Sequence, residues 1–336
     1  MAKFRRKKGR PINGWLCIDK PVGMTSTAAV GFVKRVTQAQ KVGHGGTLDP
    51  LATGVLPIAM GEATKTVSFV MDGEKQYHFT MRLGVATDTD DSEGKTIETS
   101  DVRPSTSAIE AALEGYIGSI QQVPPSFAAV KVAGERAYDI ARRGETVELE
   151  ARTVEVRDLA IVERSDDDHV VLDLTCGKGT YVRAIARDLG RQLGCLGHVT
   201  ALRRTKVGAF EADQAVSPET LERLVQDDAF PQVLRPLKDA LSGLPSLALT
   251  EPQAERLRAG QSIRVAPHMV KGPSTVSGPG AVGGPGVQGD SEDEDTTIRA
   301  MASGDVIALA RLSGEELSPV RVFNLRTSQP YHQTAS

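Results

Sequence analysis

Apolar and polar positions alternate along residues 75–83 (KQYHFTMRL), which predicts a strand. Residues 14–18 read as a shorter strand that ends in the turn DKPVGMTS. Ser26 or Thr27 is placed to cap a following helix over 28–37. Residues 84–94 are polar and turn-rich. Ile109, Ala112, Leu113 and Tyr116 recur at helical spacing behind Ser105, which predicts a capped helix over 105–116. Strand patterns follow at 154–162 and 170–175. A glycine turn, GKGTY, then leads into a segment whose Val182, Ile185, Ala186, Leu189 and Leu193 share one helical face. A Pro/Gly/Ser-containing stretch at 241–247 marks a boundary, and a smaller unit begins near Ser246. The segment 272–297 is rich in Gly, Pro and Ser, ends in acid and has little to bury, so it reads as a disordered loop. The strand-like pieces at 262–265 and 305–312 are expected to pair across it.

The chain has 336 residues, 40% of them hydrophobic, enough for two packed domains. No apolar run approaches the ~20 residues of a membrane span, and no signal-length apolar stretch follows the basic start MAKFRRKKGR. Three widely spaced cysteines, with no CxxC, argue against a disulfide framework or a zinc site. A cytoplasmic protein is expected. The net charge of −3 hides segregation: the N-terminal tail, Arg142–Arg143 and the stretch around Arg203, Arg204 and Lys206 are basic. Such clusters attract phosphate backbones, or are ordinary solvated surface.

Asp49 is the one acid in GHGGTLDPLATGVLPIAMG; between His44 and Gly61 no other side chain is charged. Pro50 biases it towards an extended conformation, and glycines at 43, 45 and 46 permit tight turning. A stiff loop presenting one acid near one histidine suits a nucleophile or general base. The competing use is a turn or helix cap.

Several other sites are excluded. Leu48 occupies the third glycine position of a dinucleotide fingerprint, and GKGTY lacks the Lys-Ser/Thr ending of a phosphate loop. DTDDSEG places its glycine one residue late for a calcium loop, and Thr99 stands where the distal Glu is required. The six histidines show no HxxxH or HExxH spacing. No metal or cofactor is expected.

Five ordered segments remain: NGWLCIDKPVGMTS (13–26), KVGHGGTLDPLATGVLPIAMGEATK (41–65), KQYHFTMRLGVATDTDDSEG (75–94), PPSFAAVKVAGERAYDIARRG (124–144) and CGKGTYVRAIARDLGRQLGCLGHVTALRRTKVG (176–208). Together they resemble the bacterial tRNA pseudouridine synthases of the TruB family, which isomerise uridine 55 in the T arm of tRNA. The resemblance implies an α/β (α+β) fold: a mixed, mainly antiparallel sheet with flanking helices, and a small β-rich PUA-like C-terminal domain. It implies a flexible basic tail (1–12), a catalytic domain (13–240) with a thumb-like RNA-binding insertion (124–150), and a PUA-like domain (246–328) interrupted by the 272–297 insert.

The same resemblance makes Asp49 the nucleophile, Arg183 its ion-pair partner, and Tyr77 the ring that stacks on the base and takes part in proton transfer. Tyr181 and Leu202 would line the uracil pocket, and His44 would contact RNA where the nucleotide leaves its stack. Lys20, Lys65, Lys131, Arg136, Arg142 and Arg143 are candidate RNA contacts or supports. A monomer acting on tRNA without guide RNA or an obligate protein partner is expected. A non-catalytic RNA-folding protein is the rival reading; a carboxylate glycosidase would need a second acid such as Asp88, Asp90 or Asp91 within reach.

Overall fold

The computed structural model describes residues 9–128, 131–132, 135–136, 140, 143, 149–164, 166–272 and 296–325, with backbone only at 131–132 and 135–136. In chain order the strands are β1 (Gly14–Lys20), β2 (Val42–His44), β3 (Thr53–Met60), β4 (Lys75–Leu83), β5 (Val85–Thr87), β6 (Thr96–Thr99), β7 (Gly118–Gln122), β8 (Lys131–Val132) and β9 (Glu135–Arg136). There follow β10 (Arg152–Arg164), β11 (His169–Cys176), β12 (Gly197–Val207), β13 (Phe210–Glu211), β14 (Ser246–Ala248), β15 (Ile263–Arg264), β16 (Thr296–Ala302), β17 (Asp305–Ser313) and β18 (Glu316–Val322). The α-helices are α1 (Ser26–Thr37), α2 (Val67–Asp72), α3 (Thr106–Leu113), α4 (Val182–Gln192), α5 (Pro218–Gln226) and α6 (Glu251–Arg258).

Among the described residues nine strands form the main sheet, in the order β1-β3-β12-β4-β11-β10-β7, with β2 on β3 and β13 on β12. Its pairings are antiparallel except β3 against β12. That parallel seam aligns Gly54 with Arg204, while β4 aligns Tyr77 with Arg204 from the other side. The buried face carries Leu16, Ile18, Leu56, Ile58, Phe79, Met81, Leu172 and Leu174. Ala29 and Val33 of α1, Ile109 of α3 and Ile185 and Leu189 of α4 pack in the same cluster. β1 and β3 are covered on their other face as well, where Trp15, Cys17, Val55 and Ala59 join a second cluster. A second sheet, β14-β16-β17-β18-β15, forms the C-terminal unit with its own core.

The strand at 75–83 and the helix behind Ser105 lie where the pattern predicts, the latter shortened to Leu113 and finished by a 3₁₀ turn. α1 begins two residues early, because Thr25 rather than Ser26 or Thr27 caps it. Strand β3 has no counterpart in the pattern: Pro57 sits inside it, and prolines argue against central strands. The pairing of 262–265 with 305–312 does not occur: β18 lies between β15 and β17. Thr296 and Thr297, assigned to the insert, open β16 instead. The remainder of that insert (273–295) and the tail 1–8 lie outside the described residues.

Candidate active site

The loop before β3 is held from three sides. From α1, the Ser26 hydroxyl accepts from Leu48 N (2.8 Å) and donates to Leu48 O (3.0 Å). From the first turn, Gly23 N donates to Pro50 O (2.8 Å), and the Lys20 ammonium donates to Pro21 O, Met24 O and Pro50 O. From the sheet, the buried Arg204 guanidinium donates to Gly46 O (3.1 Å), Thr47 O (3.2 Å) and Val55 O (2.9 Å). An Ala52 N to Asp49 O bond (3.1 Å) closes the turn. Gly54 is required at the seam: its φ is +97°, and a Cβ would stand 2.2 Å from Arg204 O.

This frame points Asp49 at Arg183. Arg183 Nη2 lies 2.8 Å from Asp49 Oδ2, and the carboxylate side chain is 36% exposed against 5% for the arginine. Arg183 Nη1 lies 3.3 Å from Oδ2 of the buried Asp91 and donates to Thr89 O (3.0 Å); Nη2 also donates to Phe127 O (3.1 Å). A buried guanidinium needs such a full partner set. Asp91 is itself fixed, accepting from Thr89 Oγ1 (2.5 Å) and Glu93 N (3.0 Å) through Oδ1. The start of α4 is anchored by Gln122, whose side-chain amide exchanges bonds with Tyr181 N (2.8 Å) and O (3.1 Å).

Tyr77 and Tyr181 both stand within the electrostatic reach of Asp49. Burial raises the Tyr77 phenol above its ordinary pKa, and the hydrogen-bonded Arg204 works against that rise. Burial likewise raises Tyr181, with Arg152 opposing and Asp49 adding to the effect. Leu202 and Arg204, two apart on β12, share a sheet face, and Leu202 pairs with Phe79 two places from Tyr77. His44, at the end of β2, accepts from Gly46 N through Nδ1 (3.4 Å); burial first, then Arg204, lowers its pKa. Asp49, Arg183, Tyr77 and Tyr181 are thus gathered, with Leu202 and His44 on the strands that frame them.

Other candidates lie elsewhere. Lys20 is fully buried with its ammonium on three carbonyls, so it supports the loop rather than meeting phosphate. Burial, opposed by the charge of Asp49, lowers its pKa to about 8. Lys65 pairs with Glu62 (2.6 Å) and donates to Val322 O (3.0 Å), which joins it to the C-terminal unit instead of the cleft. The basic stretch on β12 is internally spent: Arg203 forks onto Asp19 (3.0 and 2.9 Å), Lys206 meets Glu211 (2.8 Å), and Arg204 is buried. Arg143 is exposed; Lys131 and Arg136 lie on β8 and β9, and Arg142 is outside the described residues.

Comparison with known proteins identifies the family. The description "TruB family pseudouridylate synthase (N terminal domain)" matches residues 34–182, and "tRNA pseudouridylate synthase B C-terminal domain" matches 183–242. A protein named tRNA pseudouridine synthase B from Caulobacter vibrioides is 49% identical over 96% of this chain and 99% of its own length. The chain belongs to the TruB family. It is therefore a pseudouridine synthase. Another relative of that name, from Dinoroseobacter shibae, is 50% identical over 95% of this chain and 98% of its own. Among solved structures, one described as a Cbf5-Nop10-Gar1 complex shares the fold: TM-score 0.70, 22% identity, 98% of this chain and 93% of that one.

Two residues of this family member's site escape a sequence reading. Arg204 looks like one of several surface cations in LRRTK, and only the parallel seam shows it turned inward. Asp91 looks like a turn residue in DTDDSEG; its burial beside Arg183 is a tertiary fact.

Proposed function

We propose that the chain converts uridine 55 in the T loop of tRNA to pseudouridine, acting alone and without guide RNA, with Asp49 as nucleophile. The observation that carries this reading is the Asp49–Arg183 pair: an accessible carboxylate aimed by a buried guanidinium, beside two tyrosines. Relatives named tRNA pseudouridine synthase B align with nearly the whole chain at about half identity, which supports tRNA as substrate. The solved structures described as a Cbf5-Nop10-Gar1 complex and as H/ACA ribonucleoproteins share the fold at 22% identity or less.

The target base is buried in a folded T loop and has to be swung out to meet Asp49. Tyr77 and Tyr181 supply ring surfaces for it, and Leu202 an apolar wall. Asp49 attacks the flipped nucleotide, and the C1′–N1 bond breaks. The uracil turns, C5 joins C1′, the C5 proton leaves, N1 gains a proton and the carboxylate is released. Arg183 fixes the direction of that carboxylate throughout. The phenol of Tyr77, raised by burial, remains protonated at neutral pH and can donate a hydrogen bond there. The 124–150 segment is read as a thumb over the T loop, with Arg143 exposed for phosphate contact.

The test uses purified chain alone with tRNA transcript bearing 5-tritiated uridine. Wild type releases tritium; Asp49→Asn binds tRNA and releases essentially none; a transcript with cytidine at 55 and label elsewhere in the T loop releases none. Equal release by wild type and Asp49→Asn would remove the aspartate mechanism. Tight binding without release by wild type would replace it with an RNA-folding role.

A further inference from the structure

Arg183 is directed by backbone as much as by Asp91. Two of its acceptors are carbonyls, Thr89 O at 3.0 Å and Phe127 O at 3.1 Å, on two separate segments. One helical turn further along α4, Arg187 grips the same two segments. Its Nη1 lies 3.1 Å from Asp90 Oδ2, and its Nη2 donates to Val123 O at 2.8 Å. Asp188 completes the grip, with Oδ1 2.8 Å from Arg187 Nε and Oδ2 3.1 Å from Nη2. The Arg187 and Asp90 side chains are 12% and 14% exposed. Asp90 has φ +61°, a left-handed conformation uncommon outside glycine, though aspartate takes it more readily than most residues. Its carbonyl is also fixed, accepting from Val199 N at 3.1 Å.

We infer that Arg187 is a positioning residue for catalysis, seating the Thr89–Asp91 turn and the Val123–Phe127 segment so that their carbonyls aim Arg183, and through it Asp49. The inference rests on the proposed role of Asp49. It follows from spacing: residues four apart lie on one helix face, so a shift in either gripped segment at Arg187 is felt at the acceptors of Arg183. Misplacing a reacting group by an ångström costs on the order of a hundredfold in rate, so a partial loss of aim is measurable.

The tritium-release assay separates aim from general stability. Arg187→Ala is expected to lower kcat by about tenfold with KM for tRNA changed less than about threefold, since no substrate contact is removed. Arg187→Lys keeps the charge opposite Asp90 but cannot serve Val123 and Asp188 together, and should recover part of the loss. Arg235→Ala is the stability control: its partners Ala209, Gln214 and Asp239 are no part of the site, and it should lower Tm while leaving kcat unchanged. If Arg187→Ala does not fold, Asp90→Asn and Arg187→Lys are read by the same kcat and KM criterion. The inference is overturned if the folded variants keep kcat within about twofold of wild type, or lose no more than Arg235→Ala does. Absence of release by wild type itself would remove the functional reading and this inference together, which distinguishes the two failures.

Discussion

Asp91 holds the Arg183 guanidinium from the protein interior, its Oδ2 3.3 Å from Nη1, while Asp49 meets Nη2 from the cleft side. Removing the charge at 91 leaves a buried cation with one anion, Asp49, the proposed nucleophile. Asp91→Asn preserves shape and most hydrogen bonding. We expect it to cost about 1–3 kcal/mol of stability, because one charged partner of a buried ion is lost. kcat should fall with little change in tRNA affinity. Urea denaturation and single-turnover tritium release check the two parts; unchanged kcat would show that Asp91 does not support the aim of Arg183.

Arg204 ties the Asp49 loop to the sheet through three carbonyls. A lysine there offers one nitrogen in place of a planar fork and leaves some of those buried carbonyls without a donor. Arg204→Lys should destabilise by about 2–4 kcal/mol and lower kcat more than it weakens tRNA binding. A variant with wild-type Tm and kcat would contradict the framing role.

At the seam, Gly54→Ala puts a methyl 2.2 Å from a backbone oxygen in a left-handed conformation. Neither strand can move without shifting Arg204 or Thr53. We expect a loss of more than about 3 kcal/mol, read as low soluble yield or a lowered urea midpoint. Gly43→Ala, where a Cβ meets nothing within 4 Å, serves as the mild control.

Lys20 gives a pH-dependent prediction. Its pKa in the folded chain is lowered from 10.5 to about 8 by burial. Between those values the unfolded chain binds the proton more tightly, so folding stability rises with pH across the window. The charged form is the costly one, and that cost is present in full below about pH 8. The stability of wild type relative to Lys20→Met should therefore increase from pH 8 towards pH 10.5, by at most about 3 kcal/mol. Urea midpoints of both proteins at pH 7.5, 9 and 10 test this; a difference that stays flat or falls would reject the assignment.

Much of the site is written locally. Asp49 stands out as the one acid of its loop, and the helix carrying Arg183 is plain from Val182, Ile185, Ala186 and Leu189 on one face. The parts that do not show are those created by strand order. No local pattern says that β12 runs parallel to β3, yet that pairing turns Arg204 inward and makes Gly54 indispensable. The bland polarity of DTDDSEG hides Asp91 for the same reason, since its value comes from a helix about 90 residues downstream. In the C-terminal unit, the strand-like stretch at 305–312 is visible, but the partner it takes is decided by β18 intervening.

Glu62 accepts from Asn324 N (2.8 Å) while Lys65 reaches Val322 O, and Trp15, Val55 and Phe210 share one apolar cluster with Val306, Leu309 and Phe323. The GEATK turn is thus a weld between the two sheets. Cutting the chain after the first of them would strip cover from that apolar patch and yield sticky, aggregating protein instead of a minimal enzyme. With an apolar cluster shared in this way, side-chain packing sets how the two sheets lie against each other.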